Sequence, residues 1–240
     1  MTFAMLFQDA DSLTLPTDSL ATVAAAEPEG FMGFVETVMQ GGWVMIPIAV
    51  LSLWTIAVFI ERLFTLRSAH GNTEGITERV RAYVTSGDIG GAVAYCEAQD
   101  KPLTRILKRG LERLGRPIAE IKEALNAEGK SEAFRLEKRT GTLATIAGVA
   151  PMLGFFGTVT GMIEAFQDIQ RLQGNVDPSV LAGGIWEALL TTAFGLITGI
   201  LAFFAYNFLL GRIQRMLSEM ERATADFIDL LQAPSPASRR

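Results

Sequence analysis

Residues 188–211 read ALLTTAFGLITGILAFFAYNFLLG, a run of 24 residues that contains no charged side chain. Two further runs of the same length, residues 37–60 and 140–163, are also free of charge. At about 1.5 Å per helical residue each run reaches about 36 Å, which is enough to cross a hydrocarbon core of about 30 Å. The sequence therefore predicts an all-α membrane protein with three transmembrane helices.

The distribution of basic residues predicts the orientation of these helices. Residues 61–139 hold 15 of the 21 Lys and Arg side chains and residues 212–240 hold five, whereas residues 1–42 hold none. Segments that stay on the cytoplasmic side carry the excess of basic residues. We therefore predict an outer N-terminus and a cytoplasmic C-terminus.

The pattern along the chain predicts nine segments. We expect helices 2 and 3 of the membrane to extend into a cytoplasmic helical bundle, the second as one helix from Ile118 to Ala165 and the third to about Leu231. Because Met1–Phe7 lacks a positive charge, an uncleaved outer tail is favoured over a signal peptide. The predicted segments are a flexible outer tail (1–30), an interfacial helix (31–42), transmembrane helix 1 (43–61), a cytoplasmic helical domain (62–139), transmembrane helix 2 (140–166), an outer loop (167–183), transmembrane helix 3 (184–211), a helix extension (212–232) and a disordered tail (233–240).

Several functional classes are disfavoured by what the sequence contains. Cys96 is the only Cys and His70 the only His, so an intrachain disulfide and a His-based metal cluster are excluded. No nucleophile–base pair or phosphate-binding loop is recognisable, and we expect neither enzymatic activity nor a cofactor. The basic side chains between residues 105 and 116 could contact nucleic acid or anionic lipid, but a solvated cytoplasmic face that fixes topology explains them better.

Small residues recur at helical spacing on the second and third transmembrane helices. Such residues let helices approach closely in lipid, where no hydrophobic effect drives helices together. Close packing therefore explains most of the glycines. The residues predicted to pack or bend these helices are Pro151, Gly154, Gly157, Gly161, Gly195 and Gly199.

The threonines on these two helices suggest more than packing. Thr158 and Thr192 each lie eight residues from the outer end of their helix, so both are expected about 12 Å below the outer surface. One such hydroxyl can bond back to its own helix, but several at one depth could line a narrow polar path. Glu187, just inside the outer end of the third helix, is a further candidate because ionisable residues are costly at such depth. The predicted pathway residues are Thr158, Thr191, Thr192 and Glu187.

The charge-free runs also lack a group that could carry a proton. Hydroxyl groups do not change charge at working pH, and proton transfer through a bilayer needs a titratable group near its middle. No Asp, Glu, His, Lys or Arg occurs in any of the three runs. If this chain moves protons, a second polypeptide must supply the carboxylate.

Residues 150–162 (APMLGFFGTVTGM) and 184–196 (GIWEALLTTAFGL) closely resemble the signatures of the MotA/TolQ/ExbB proton-channel family. Residues 41–47 (GGWVMIP) and 60–63 (IERL) resemble the first helix of that family, and residues 87–116 resemble its cytoplasmic domain. Three transmembrane helices with an outer N-terminus are most like its ExbB and TolQ branches. The resemblance covers about residues 35–230 in order.

The resemblance implies a subunit of a proton-driven motor in the bacterial inner membrane. It implies a homopentamer around a dimer of a single-span ExbD- or TolR-like partner, whose intramembrane aspartate carries the proton past Thr158 and Thr192. A TonB-like transducer would then energise outer-membrane transport. A TolQ-type role in the Tol-Pal envelope system, a specialised motor and a structural membrane scaffold are the alternatives, and the sequence leaves proton against sodium open.

Overall fold

The computed structural model describes residues 41–171 and 178–232. These residues form seven helices, and none of them lies in a strand. The predicted outer tail and C-terminal tail, and residues 31–40 of the predicted interfacial helix, lie outside the described part of the chain. The helices are α1 (Gly42–Ala69), α2 (Thr73–Ser86), α3 (Ile89–Gln99), α4 (Pro102–Leu111), α5 (Ile118–Glu137), α6 (Thr140–Arg171) and α7 (Pro178–Gln232).

Helices α1, α6 and α7 are long and apolar enough to cross a membrane. Their outer surfaces expose large apolar side chains such as Trp43, Phe155 and Phe203. A protein in water would not leave so wide a set of aromatic and aliphatic side chains uncovered, whereas lipid is the natural environment for them. The predicted fold class, an all-α membrane protein with three membrane-spanning helices, is confirmed.

The single helix predicted from Ile118 to Ala165 was wrong, because the chain breaks between α5 and α6. Lys138 is extended, with a ψ of 135°, and Arg139 has a φ of 67°. A non-glycine residue in this region costs about 1–2 kcal/mol. At this break the Arg139 guanidinium contacts Glu61 of α1 at 2.6 Å, in an ion pair at the surface.

Helix α7 continues without interruption for 55 residues, to Gln232, one residue beyond the predicted end at Leu231. C-terminal to its membrane-length part, α7 has a buried face that includes Ile213, Met220 and Phe227. Helices α2 to α5 supply the other side of this core, with Leu107 fully buried in it. The first helix also extends beyond its predicted end at residue 61, because α1 ends at Ala69.

An ion cluster joins α4 to α5 inside this bundle. Glu132, whose side chain is 1% exposed, accepts hydrogen bonds from Arg105 Nε at 2.9 Å and Arg105 Nη2 at 2.8 Å. Arg135 Nη1 donates to the same carboxylate at 2.8 Å, and Arg105 Nη1 also reaches Asp100 Oδ1 at 2.7 Å. The hydrogen bonds to Glu132 raise the pKa of Arg105 above its ordinary value. The cluster therefore holds a buried carboxylate with two guanidinium groups, as buried charges require.

Candidate functional site

The antiparallel helices α6 and α7 meet along a seam of small residues. A Cβ atom added to Gly195 would lie 2.7 Å from the Ala150 carbonyl oxygen and 2.8 Å from the Gly154 Cα. A Cβ atom added to Gly154 would lie 2.9 Å from the Thr191 carbonyl oxygen. Backbone therefore packs directly on backbone at the centre of the seam, which only glycine permits.

The seam continues in both directions from this centre. On one side, a Cβ atom at Gly161 would lie 3.1 Å from the Ala188 Cβ, and one at Gly184 would lie 2.8 Å from the Ala165 Cβ. These contacts extend the close approach by about three helical turns. The sequence analysis did not predict Ala165 as part of this contact, although its spacing of four residues from Gly161 is the signal that could have identified it.

On the other side, Gly199 faces Pro151. A Cβ atom at Gly199 would lie 2.6 Å from the Pro151 Cγ and 3.2 Å from the Ala147 carbonyl oxygen. Proline has no N–H group, so the Ala147 carbonyl loses its usual helical donor, and Gly199 leaves room for the ring beside it. All six residues predicted to pack or bend the helices thus lie in or beside this seam.

Two of the predicted pathway threonines, Thr192 and Thr158, each lie within one helical turn of Gly154. Thr192 Oγ1 donates a hydrogen bond across the seam to the Gly154 carbonyl oxygen at 3.0 Å. In α-helical geometry the backbone N–H of Thr158 points at the same carbonyl. Thr158 is partly exposed, and its hydroxyl donates to the Phe155 carbonyl oxygen at 2.6 Å. Thr158 and Thr192 are therefore within about one helical turn of each other along the helix pair, and their predicted depth in the membrane stays a prediction.

Thr191 is placed differently. It is 1% exposed, and its hydroxyl donates to the Ala188 carbonyl oxygen at 2.8 Å. A Cβ atom added to Gly157 would lie 2.6 Å from the Thr191 Cβ, so the threonine fills the space that this glycine leaves. Within the subunit Thr191 is a packing residue of the seam, and its predicted place along a polar path stays a prediction.

Glu187 lies on α7 one residue before Ala188, toward the Gly184 end of the seam, and it is half-buried. Glu164 of α6 is exposed near the same end, close enough for the two charges to interact. Both carboxylates therefore belong to one end of the helix pair, about one to two turns from Thr192.

Sequence reasoning missed a polar group at the opposite end of the spans. Arg62 is 7% exposed and falls on the same face of α1 as Val58 and Leu66, yet its Nε atom has no hydrogen-bond partner. The Thr140 hydroxyl at the start of α6 is likewise buried without a partner. The signal was present in the sequence, because Arg62 continues the helical spacing of the buried face of α1.

Within residues 41–171 and 178–232, no group of three His, Cys, Asp or Glu side chains is placed to hold a metal ion. Cys96 is 1% exposed in the core below the spans. Burial raises the pKa of its thiol to about 11, against the lowering effect of nearby Lys108. The thiol therefore stays protonated at neutral pH and is a poor nucleophile.

Residues 98–222, half of the chain, match the MotA/TolQ/ExbB proton channel family. The match contains α4, α5, α6 and the seam-forming part of α7. This chain belongs to the MotA/TolQ/ExbB family. The resemblance noted in the sequence is thereby confirmed, and the chain is most like the ExbB branch.

Individual relatives of the family agree with this assignment. An ExbB homologue, named as a biopolymer transport protein, from Methanothermobacter thermautotrophicus is 30% identical over 80% of this chain and 68% of its own length. The biopolymer transport protein ExbB of Pseudomonas putida is 31% identical over 78% of this chain and 59% of its own length. The Tol-Pal system protein TolQ of Haemophilus influenzae is 38% identical over 44% of each chain. These two ExbB relatives match a larger share of this chain than the TolQ relative does.

Proposed function

We propose that this chain is the channel subunit of a motor in the bacterial inner membrane, with a periplasmic N-terminus and a cytoplasmic C-terminus. The motor would use the proton motive force, with an ExbD-like partner, to energise TonB-dependent transport across the outer membrane. Membership in a proton channel family and the ExbB relatives support this proposal. The role is that of a transport subunit and not of an enzyme.

The observation that carries the proposal is a pair of threonines, Thr158 and Thr192, on facing helices whose 24-residue central runs hold no charged side chain. The Thr192 hydroxyl bonds to the Gly154 carbonyl, and Thr158 lies one helical turn from Gly154 on α6. No Asp, Glu, His, Lys or Arg occurs in residues 140–163 or 188–211. A proton carrier must therefore come from another chain. We assign this part to an intramembrane aspartate of the ExbD- or TolR-like partner, held inside a homopentamer of this chain.

Mechanistically, the partner carboxylate would alternate between two states beside these two threonines. Its neutral form can pass apolar surface, whereas its charged form needs hydrogen-bond donors or water to offset desolvation. The hydroxyls of Thr158 and Thr192 can leave their carbonyl acceptors and donate to that carboxylate. Glu187, nearer the outer end, would raise the local concentration of protons at the entry. Thr191 would act indirectly, by packing against Gly157 and so fixing the distance between α6 and α7.

Substitution of Thr158 by Val tests the assignment. Valine keeps the shape of threonine and removes the hydroxyl, so we expect proton flux in reconstituted vesicles containing the partner to fall about tenfold or more, the typical worth of a hydrogen bond to a charged group. Thr192→Val should act similarly. The matched control is Thr160→Val, because Thr160 lies two residues from Thr158 and so on another face of α6, about 200° around the helix. Its hydroxyl, like that of Thr158, bonds to its own helix, at Phe156 and Gly157.

Assembly should survive these substitutions, because a single interhelical hydrogen bond in a membrane contributes only about 0.6 kcal/mol. Native gels should therefore show an unchanged oligomer. Normal flux in Thr158→Val, or an equal loss in Thr160→Val, would contradict the assignment and leave the threonines with a packing role alone.

A TolQ-type role is the second candidate, and the similarity to the Haemophilus influenzae TolQ protein favours it. The two roles differ in their partners, so we would isolate the chain from native membranes in mild detergent and identify the copurifying proteins by mass spectrometry. We expect a single-span protein with an intramembrane Asp together with a TonB-like transducer. Recovery with Tol-system proteins would move the assignment to the Tol-Pal role, and recovery alone would favour a scaffold.

A further inference from the structure

A basic cavity lies between α1 and α7 on the predicted cytoplasmic side of the spans. It has a volume of about 400 Å³. Its charged lining consists of Arg67 from the end of α1 and Arg212, Arg215 and Glu219 from α7. Buried Met216 forms part of its floor. The cavity is therefore large enough to hold a small anionic group, and two separate helices line it.

The charge of this cavity is not neutralised within the chain. Three guanidinium groups and one carboxylate, that of Glu219, line the cavity. Among the ion pairs of the described residues, none involves Arg67, Arg212 or Arg215. Arg212 is held instead over the ring of Phe208, with its Cζ atom 5.1 Å from the ring centroid. The three guanidinium groups therefore have no ion-pair partner among the described residues and can donate hydrogen bonds to a bound anion.

The position of the cavity relative to the apolar surface indicates what kind of anion would fill it. Phe64, one turn before Arg67, is 65% exposed, and Phe204, two turns before Arg212, is 68% exposed. Both helices therefore change from exposed aromatic side chains to arginine at the same level. An amphiphilic anion there would place its charged headgroup against the guanidinium groups and its apolar chains against the exposed aromatic side chains. A phospholipid at the membrane surface has this arrangement.

We propose that this cavity binds the headgroup phosphate of an anionic phospholipid from the cytoplasmic leaflet. Guanidinium groups match phosphate oxygens in geometry and charge, and paired contacts from Arg212 and Arg215 would come from successive turns of one face of α7. Arg67 would close the site from α1. A bound lipid would thereby link α1 to α7 at the level where the spans enter the cytoplasmic bundle.

The test is native mass spectrometry of the full chain in detergent, purified with its copurifying partners, during titration with phosphatidylglycerol or phosphatidylcholine. We expect saturable binding of phosphatidylglycerol and much weaker binding of phosphatidylcholine. Each arginine near the surface changes binding about fivefold, so the double variant Arg212→Gln/Arg215→Gln should bind phosphatidylglycerol about 30-fold more weakly. The matched control is Lys122→Gln/Lys130→Gln, which removes the same charge from exposed positions of α5.

Four outcomes would overturn the proposal. Equal loss of lipid in the two double variants would show a general effect of charge, and equal binding of phosphatidylcholine would remove the selectivity for an anion. Displacement of the lipid by inorganic phosphate at similar concentration would identify a free-phosphate site. A changed oligomer mass in Arg212→Gln/Arg215→Gln, with the control unchanged, would show that a second copy of the chain covers the cavity.

Discussion

Replacement of Gly195 by Ala is expected to force α6 away from α7 and to lower the free energy of unfolding by about 3 kcal/mol or more, at the upper end of overpacking effects. The new Cβ atom would lie 2.7 Å from the Ala150 carbonyl oxygen and 2.8 Å from the Gly154 Cα. Both are backbone atoms, so no rotamer change can relieve the overlap and one helix must move. The Thr192 hydrogen bond to Gly154 would be lost with it.

Thermal unfolding in detergent and native gels measure this effect. The matched control is Gly148→Ala on α6, where an added Cβ atom meets nothing within 4 Å. Since alanine is also the better helix former, that variant should be as stable as the parent or slightly more so. A Gly195→Ala protein with the parent's melting temperature and oligomer would show that the seam is looser than the structure indicates.

Replacement of Glu132 by Gln is expected to destabilise the cytoplasmic bundle by about 3–5 kcal/mol, the usual cost of removing one partner from a buried ion pair. The side chain is 1% exposed and accepts three hydrogen bonds from Arg105 and Arg135. A glutamine amide has only one acceptor oxygen, and its NH₂ group would face a guanidinium donor. Arg135 would then lose its counter-ion, and Arg105 would keep only its ion pair with the exposed carboxylate of Asp100.

Limited proteolysis and denaturant unfolding would detect the loss, with cleavage expected first in α4 and α5 while α6 and α7 remain paired. Glu120→Gln is the control, because its ion pair with Arg116 lies at the surface, with side chains 45% and 62% exposed. Surface pairs contribute about 0–1 kcal/mol. If the two variants lose the same stability, Glu132 does not hold the bundle together.

The three membrane-length helices and the residues of the seam could be predicted from the sequence. Charge-free runs of 24 residues fix where the spans lie because a charged side chain is costly in lipid. Small residues at helical spacing identify the contact face because only they allow backbones to approach. Both patterns are local and periodic, so the sequence alone is enough to recognise them. The missing carboxylate, and with it the need for a partner, is also a property of the sequence alone.

The tertiary structure decided which of these residues meet and which local preferences fail. The helix predicted through Arg139 breaks there, where Arg139 has a positive φ and its side chain contacts Glu61, 78 residues away in the chain. Thr191 and Thr192 are neighbours with the same chemistry, yet one packs on Gly157 and the other bonds Gly154, since a rotation of about 100° per residue points them to different places on α6. The burial of Glu132 and the cavity between Arg67 and Arg212 likewise depend on contacts between distant segments. Helix propensity and hydrophobic periodicity act within a few turns, whereas these features arise from packing between helices, which no local pattern encodes.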